Sequence, residues 1–166
     1  MATKPIQTKE NSLYLTIKQV YFDAILNGTK DKEYREISPT TVSKYIENQK
    51  VDGELQLFYD PDLISEDKLE MYANDEMYYN NGVFPYIPKE IYFLDLAVGY
   101  NKDRDTMTVE VTDISFEPGK DKKGNMILVS FDEQGKPYKD VNGNFTLWNI
   151  VFHLGEIVKK DLKKDR

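Results

Sequence analysis

The sequence predicts a mostly β (α+β) fold, a small barrel-like domain with two short helices near its amino terminus. Several runs alternate apolar and polar residues at period two, the pattern of strands with one buried face. Two early segments instead show helical spacing bounded by capping residues. An Asp-x-x-Gly pattern recurs at residues 121–124, 132–135 and 140–143, where successive hairpin tips are wanted.

In chain order, residues 13–18 place Leu13, Leu15 and Ile17 on one face of a half-buried strand. A helix follows over residues 19–27, with Tyr21, Ala24 and Ile25 at helical spacing and Gly28 suited to a left-handed cap. Residues 31–37 alternate again, setting Glu33, Arg35 and Ile37 on one side and Lys32, Tyr34 and Glu36 on the other. Ser38 and Pro39 read as the N-cap and first position of a second helix reaching Gln49, with Val42, Tyr45 and Ile46 as its apolar stripe. After a turn at Asp52-Gly53, residues 54–59 form a third strand. Ser65 caps a short helix in the acidic stretch 60–81, which breaks at Asn80-Asn81-Gly82. Further strands cover residues 91–98, buried on both faces, 107–112 and 147–158.

At 166 residues the chain suits a single domain over residues 1–166, with a core large enough to need no disulfide or metal staple. Cysteine is absent and His153 is the single histidine. That composition excludes a cysteine nucleophile and the usual cysteine and histidine zinc sites, and any Ser-His-Asp triad would have to use His153. Gly-rich phosphate loops, dinucleotide-binding glycines and metal-ligand clusters are missing from the sequence, so no cofactor and no metal are expected. No apolar run approaches the roughly 20 residues that cross a bilayer, and residues 1–11 lack the apolar stretch of a signal peptide. A soluble, cytoplasmic protein without a membrane partner is the expectation.

The net charge of −7 is unevenly spread: residues 52–79 hold nine acids and one base, which leaves the rest of the chain at +1. Residues 52–81 are therefore expected to include an acidic insertion between strands, and residues 159–166 form a basic tail of net +3.

Chemistry concentrates at Gly28-Thr29-Lys30-Asp31-Lys32-Glu33-Tyr34-Arg35. Glu33 and Arg35, two apart on a strand, share a face, and Lys18 and Lys30 bracket the preceding helix. A carboxylate acceptor among cationic donors suits a nucleobase edge beside a phosphate, the alternative being an ordinary surface network of Glu, Lys and Arg. Tyr59, at a strand end, fits the mouth of such a cleft.

This stretch, with Leu15-Thr16-Ile17-Lys18 and the helix before it, resembles the ASCH domain family, whose G-x-K-x-x-E-x-R pattern follows a strand and a short helix. Gly28, Lys30, Glu33 and Arg35 fill its four positions. The resemblance covers the amino-terminal third and implies a PUA-like β-barrel that binds RNA or nucleotides. Some small members of the family hydrolyse acetylated cytidine with Lys, Thr and Glu. Lys30 matches the cleft lysine, but Glu33 stands where the threonine nucleophile would fall, and a carboxylate cannot replace a hydroxyl nucleophile without a different mechanism.

The favoured expectation is a module binding RNA or a nucleotide-like small molecule through Lys18, Lys30, Glu33, Arg35 and Tyr59. The alternative is an enzyme, an amidohydrolase on a modified nucleoside or an RNase, with Lys30 as activator and Glu33 or Glu110 as general acid or base. A third reading gives the acidic insertion a basic protein partner. His153 reads as structural, and Tyr72, Tyr78, Tyr79, Phe84 and Tyr86 read as a lid over the core that could also stack on bases.

Overall fold

The computed structural model of the chain describes residues 5–64, 78–79 and 82–164. The helix expected after Ser65, Tyr72, and the break at Asn80 and Asn81 lie outside the described residues. Strands take 46% of the described residues and helices 9%, so the fold is mostly β. Ten strands and two helices occur among the described residues. They run β1 (Ser12–Ile17), α1 (Gln19–Leu26), β2 (Lys32–Glu36), α2 (Val42–Tyr45), β3 (Asn48–Val51), β4 (Glu54–Leu57), β5 (Phe93–Val98), β6 (Thr106–Pro118), β7 (Leu128–Phe131), β8 (Pro137–Lys139), β9 (Phe145–Thr146) and β10 (Trp148–Asp161). A five-stranded sheet has the order β1-β5-β6-β10-β2, beside a β3-β4 hairpin and a three-stranded sheet β8-β7-β9. Among the described residues none of these sheets closes into a barrel. None of the described helices is long and apolar enough to cross a membrane.

The chain forms two compact units, one of Met1–Glu33, Glu90–Ser115 and Phe152–Arg166, the other of Tyr34–Lys89 and Phe116–Val151. In the first unit β1 runs parallel to β5, and β5 antiparallel to β6. Leu15 and Ile17 of β1, Leu94 and Leu96 of β5, and Met107 and Val109 of β6 are buried. α1 buries Ile25 as its spacing predicts, but against the expectation it buries Phe22 while Tyr21 is exposed. Eight residues make little more than two turns at 3.6 residues each, too few for spacing alone to choose between neighbouring aromatics. Asp105, 2% exposed, ties the carboxy-terminal segment down. Its Oδ1 accepts the backbone N–H groups of Lys163 and Lys164 at 2.7 and 2.9 Å, and its Oδ2 accepts Gln19 Nε2 at 3.0 Å.

In the second unit the helix expected to reach Gln49 stops at Tyr45, and β3 begins at Asn48. The cause lies downstream. Asp52 at φ 52° and Gly53 at φ 80° make the two-residue turn whose positive dihedrals match the twist of paired strands. Such a turn needs a strand on both sides, and Val51 duly pairs with Glu54, and Asn48 with Leu57. Val42, Tyr45 and Ile46 are buried as their spacing predicts.

Tyr78, Tyr79, Phe84 and Tyr86 are core rather than a stacking surface. Phe84 packs on Phe116, Tyr86 and Trp148 with ring centroids 4.3, 5.2 and 5.4 Å apart. Trp148 Nε1 donates to the carbonyl of Tyr79 at 2.9 Å, giving a buried indole the partner it requires. Ile64, Tyr78 and Tyr79 are buried too, so the ends of the acidic segment belong to the core. Burial, with the Glu36 carboxylate, pushes the Tyr78 hydroxyl up to about 12.

The three Asp-x-x-Gly segments are turns, as expected. The glycine N–H bonds the aspartate carbonyl at 3.0, 3.0 and 2.9 Å, and each carboxylate accepts a backbone N–H two residues ahead. Those bonds, from Asn142 and then from the Ser130 hydroxyl, hold the Asp140 carboxyl below its usual range. Gly143 has a further duty, because a Cβ there would lie 2.5 Å from the carbonyl oxygen of Val129 on β7. Backbone cannot swing aside, so Gly143→Ala is expected to cost about 1–3 kcal/mol as overpacking. Gly119→Ala, whose Cβ would meet ordinary contacts at 3.5 Å and beyond, is the matched control. Urea denaturation of the two variants checks the contrast.

Candidate functional site

α1 is the centre of the site in the first unit. Lys18 ends the extended backbone of β1, and its carbonyl accepts the N–H groups of Tyr21 and Phe22 at 3.1 and 3.0 Å, which starts the helix. At the other end Gly28 takes φ 84°, a left-handed conformation that costs glycine little. The chain then folds back, and the N–H groups of Thr29 and Lys30 both reach the carbonyl of Ala24, at 3.0 and 3.1 Å. This return carries the Lys30 ammonium over the Tyr21 ring, 5.3 Å from its centroid. Lys18, exposed at the N-cap, stands three positions before Tyr21. The ring beneath Lys30 is 47% exposed. Tyr21 was missing from the sequence-derived set because its spacing read as core.

Glu33, on β2, is only 6% exposed, whereas Tyr34 beside it is exposed and Ile37 is fully buried. The period-two expectation for this strand holds. One carboxylate oxygen of Glu33 is buried and accepts no hydrogen bond, while the residue is engaged by its neighbours in other ways.

Lys18, Lys30 and Glu33 therefore share the first unit, while Arg35 and Tyr59 fall in the second. Arg35 is half-buried on β2, and Tyr59 forms an antiparallel bridge with Tyr86.

Groups suited to catalysis have local structural partners. Glu110 Oε1 accepts the backbone N–H of Glu156 at 3.0 Å. The hydroxyl of Thr29 bonds Asn27 Oδ1 at 2.7 Å within the cap of α1. His153 Nε2 lies 2.8 Å from Ser115 Oγ, a partner that sequence spacing does not reveal because the two sit on different strands. No carboxylate hydrogen-bonds the His153 ring among the described residues, so the pair lacks the orienting third member of a triad. Among the described residues no group of three or more carboxylates and histidines could hold a metal ion.

Comparison of the chain with protein-family models, with curated proteins and with solved structures gives no match.

Burial separates the roles of these residues. Lys18→Ala and Tyr21→Ala act on exposed positions and are expected to change stability by no more than about 0.5 kcal/mol. Glu33→Ala removes a buried polar side chain from its neighbours and is expected to cost about 1–3 kcal/mol. Chemical denaturation of the three variants measures the difference.

Proposed function

We propose that the chain is an RNA- or nucleotide-binding module of the PUA-like, ASCH type, which engages its ligand at the α1 surface of the first unit. The observation that carries this reading is the Lys30 ammonium held over the exposed Tyr21 ring, with Lys18 exposed at the N-cap of the same helix. An aromatic ring for stacking beside ammonium groups for phosphate is the combination with which proteins hold single-stranded nucleic acid. The ordered strand, helix, left-handed glycine and strand around Lys30 and Glu33 supports the ASCH assignment, since the motif requires that context. Glu33 supplies a buried carboxylate near the end of the same motif, suited to accept from a base edge. The acidic stretch of residues 52–79, at net −8, disfavours extended polyanions, so the fitting ligand is a short single strand, a loop or a mononucleotide.

Titration of the ¹⁵N-labelled chain with short single-stranded RNA and with nucleotides tests the proposal. Amide shifts at Lys18, Tyr21 and Lys30 are expected. If Lys30 meets a phosphate, Lys30→Ala lowers the slope of log affinity against log salt by about 0.7. Shifts confined to other residues, or an unchanged slope, refute the assignment.

A further inference from the structure

The first unit carries a groove of about 470 Å³ that shares no residue with the α1 surface. Its size lies within the range of small-molecule sites. Strand register lays out its floor. Tyr14 of β1 stands opposite Asp95 of β5, and Asp95 opposite Thr108 of β6. Cross-strand partners share a face, so the three side chains form one row. Lys159 and Lys160 of β10, the next strand in the sheet, complete the lining at the far side.

Each member of the row is prepared for a different chemical group. The Tyr14 ring is 52% exposed, and the Arg104 guanidinium stands 5.9 Å from its centroid. Asp95 is oriented through one oxygen: Thr108 Oγ1 donates to Oδ1 at 2.6 Å, and Gln7 Nε2 donates to the same atom at 2.9 Å. Its Oδ2 makes no hydrogen bond among the described residues. Lys159 and Lys160 make no ion pair among the described residues, whereas the adjacent Asp161 is held by Lys163 at 3.3 Å. From β1 to β10 are three inter-strand spacings, roughly 14 Å at about 4.8 Å each. That span exceeds a phosphate ion and suits an elongated ligand with a flat ring at one end and an anion at the other.

The geometry points to a binding site for a ribonucleoside 5′-monophosphate, with its base on Tyr14, its ribose hydroxyls on Asp95 and its phosphate on Lys159 and Lys160. The order of the row matches the order of the ligand. A ring stacks on a ring, an ionised carboxylate accepts from ribose hydroxyls, and ammonium groups hold phosphate. Inorganic phosphate would leave Tyr14 and Asp95 unused, and a nucleoside would leave the lysines unused. A 2′-deoxynucleotide would forfeit one of the two hydroxyl donors offered to Asp95.

Calorimetric titration of the intact chain with adenosine 5′-monophosphate, its 2′-deoxy analogue, adenosine and inorganic phosphate tests the site. The ribonucleotide is expected to bind most tightly, and Tyr14→Ala to weaken it by about tenfold or more, the usual effect of losing a stacking partner. Asp95→Asn retains an oxygen for Thr108 and Gln7 and is expected to remove the preference for ribose over deoxyribose. The double substitution Lys159→Ala and Lys160→Ala, on exposed positions that leave the fold intact, is expected to bring the nucleotide down to the level of adenosine. Lys136→Ala, an exposed position that does not line the groove, should leave all of these affinities unchanged. Ribonucleotide affinity that survives both Tyr14→Ala and the double lysine substitution overturns the site, as does an equal affinity for inorganic phosphate or no binding at all. Loss of nucleotide binding on Lys30→Ala alone would place the ligand at α1, sinking the groove and sparing the proposed function. Response of the nucleotide to the groove variants, with no RNA binding at α1, would do the reverse.

Discussion

The register of β1 against β5 is the constraint on which the first unit depends. Side chains alternate along a strand, so a slip of one residue would send every β1 side chain to the opposite face. In the observed register Leu15 and Ile17 enter the core, and Tyr14 stands opposite Asp95 on the groove side. The same register sets where β1 ends, and hence where Lys18 starts α1 and on which side Tyr21 emerges. Core, helix and groove are three consequences of one pairing. Because β1 and β5 are parallel, no hairpin turn can set that pairing, and the Tyr34–Lys89 segment of the second unit lies in the connection between them. The apolar face of β1 has to specify it instead.

Short polar bonds then lock what the register places. Asp105 is buried at the beginning of the unit's antiparallel return, and its two oxygens join the carboxy-terminal backbone to the first residue of α1. Such a buried carboxylate is costly unless hydrogen-bonded, and here it bridges segments distant in the chain. At the other end of α1 the glycine cap and the two hydrogen bonds that the Ala24 carbonyl accepts from Thr29 and Lys30 determine where Lys30 lies. The helix is too short to be stable alone, so its position is owed to Phe22 and Ile25 in the core and to these two tethers.

Local chemistry made much of this legible before any coordinates. Asp-x-x-Gly carries its own turn geometry, and the alternation of Glu33, Tyr34, Arg35 and Ile37 reports which side chains go inward, because both signals act within a few residues. β3 escaped notice because Asn48-Gln49-Lys50-Val51 has no apolar alternation. Only the Asp52-Gly53 turn implies a strand there, by requiring a partner for β4. Tyr78 and Tyr79 were obscured by the carboxylates around them, although the Trp148 indole and the Phe84 cluster draw that end of the acidic segment into the core. Period two assigns Glu33 and Arg35 to one face without telling which compact unit each joins. The groove left no motif at all, since Tyr14, Asp95, Thr108 and Lys159 come from four strands and meet only through sheet order.

Interstrand nuclear Overhauser effects between β1, β5 and β6 test the register most directly. The account predicts contacts that set Tyr14 opposite Asp95 and Asp95 opposite Thr108. Contacts setting Asp95 opposite Leu13 or Leu15 would mean that Tyr14 faces the other way, and would contradict the common origin of core, helix and groove.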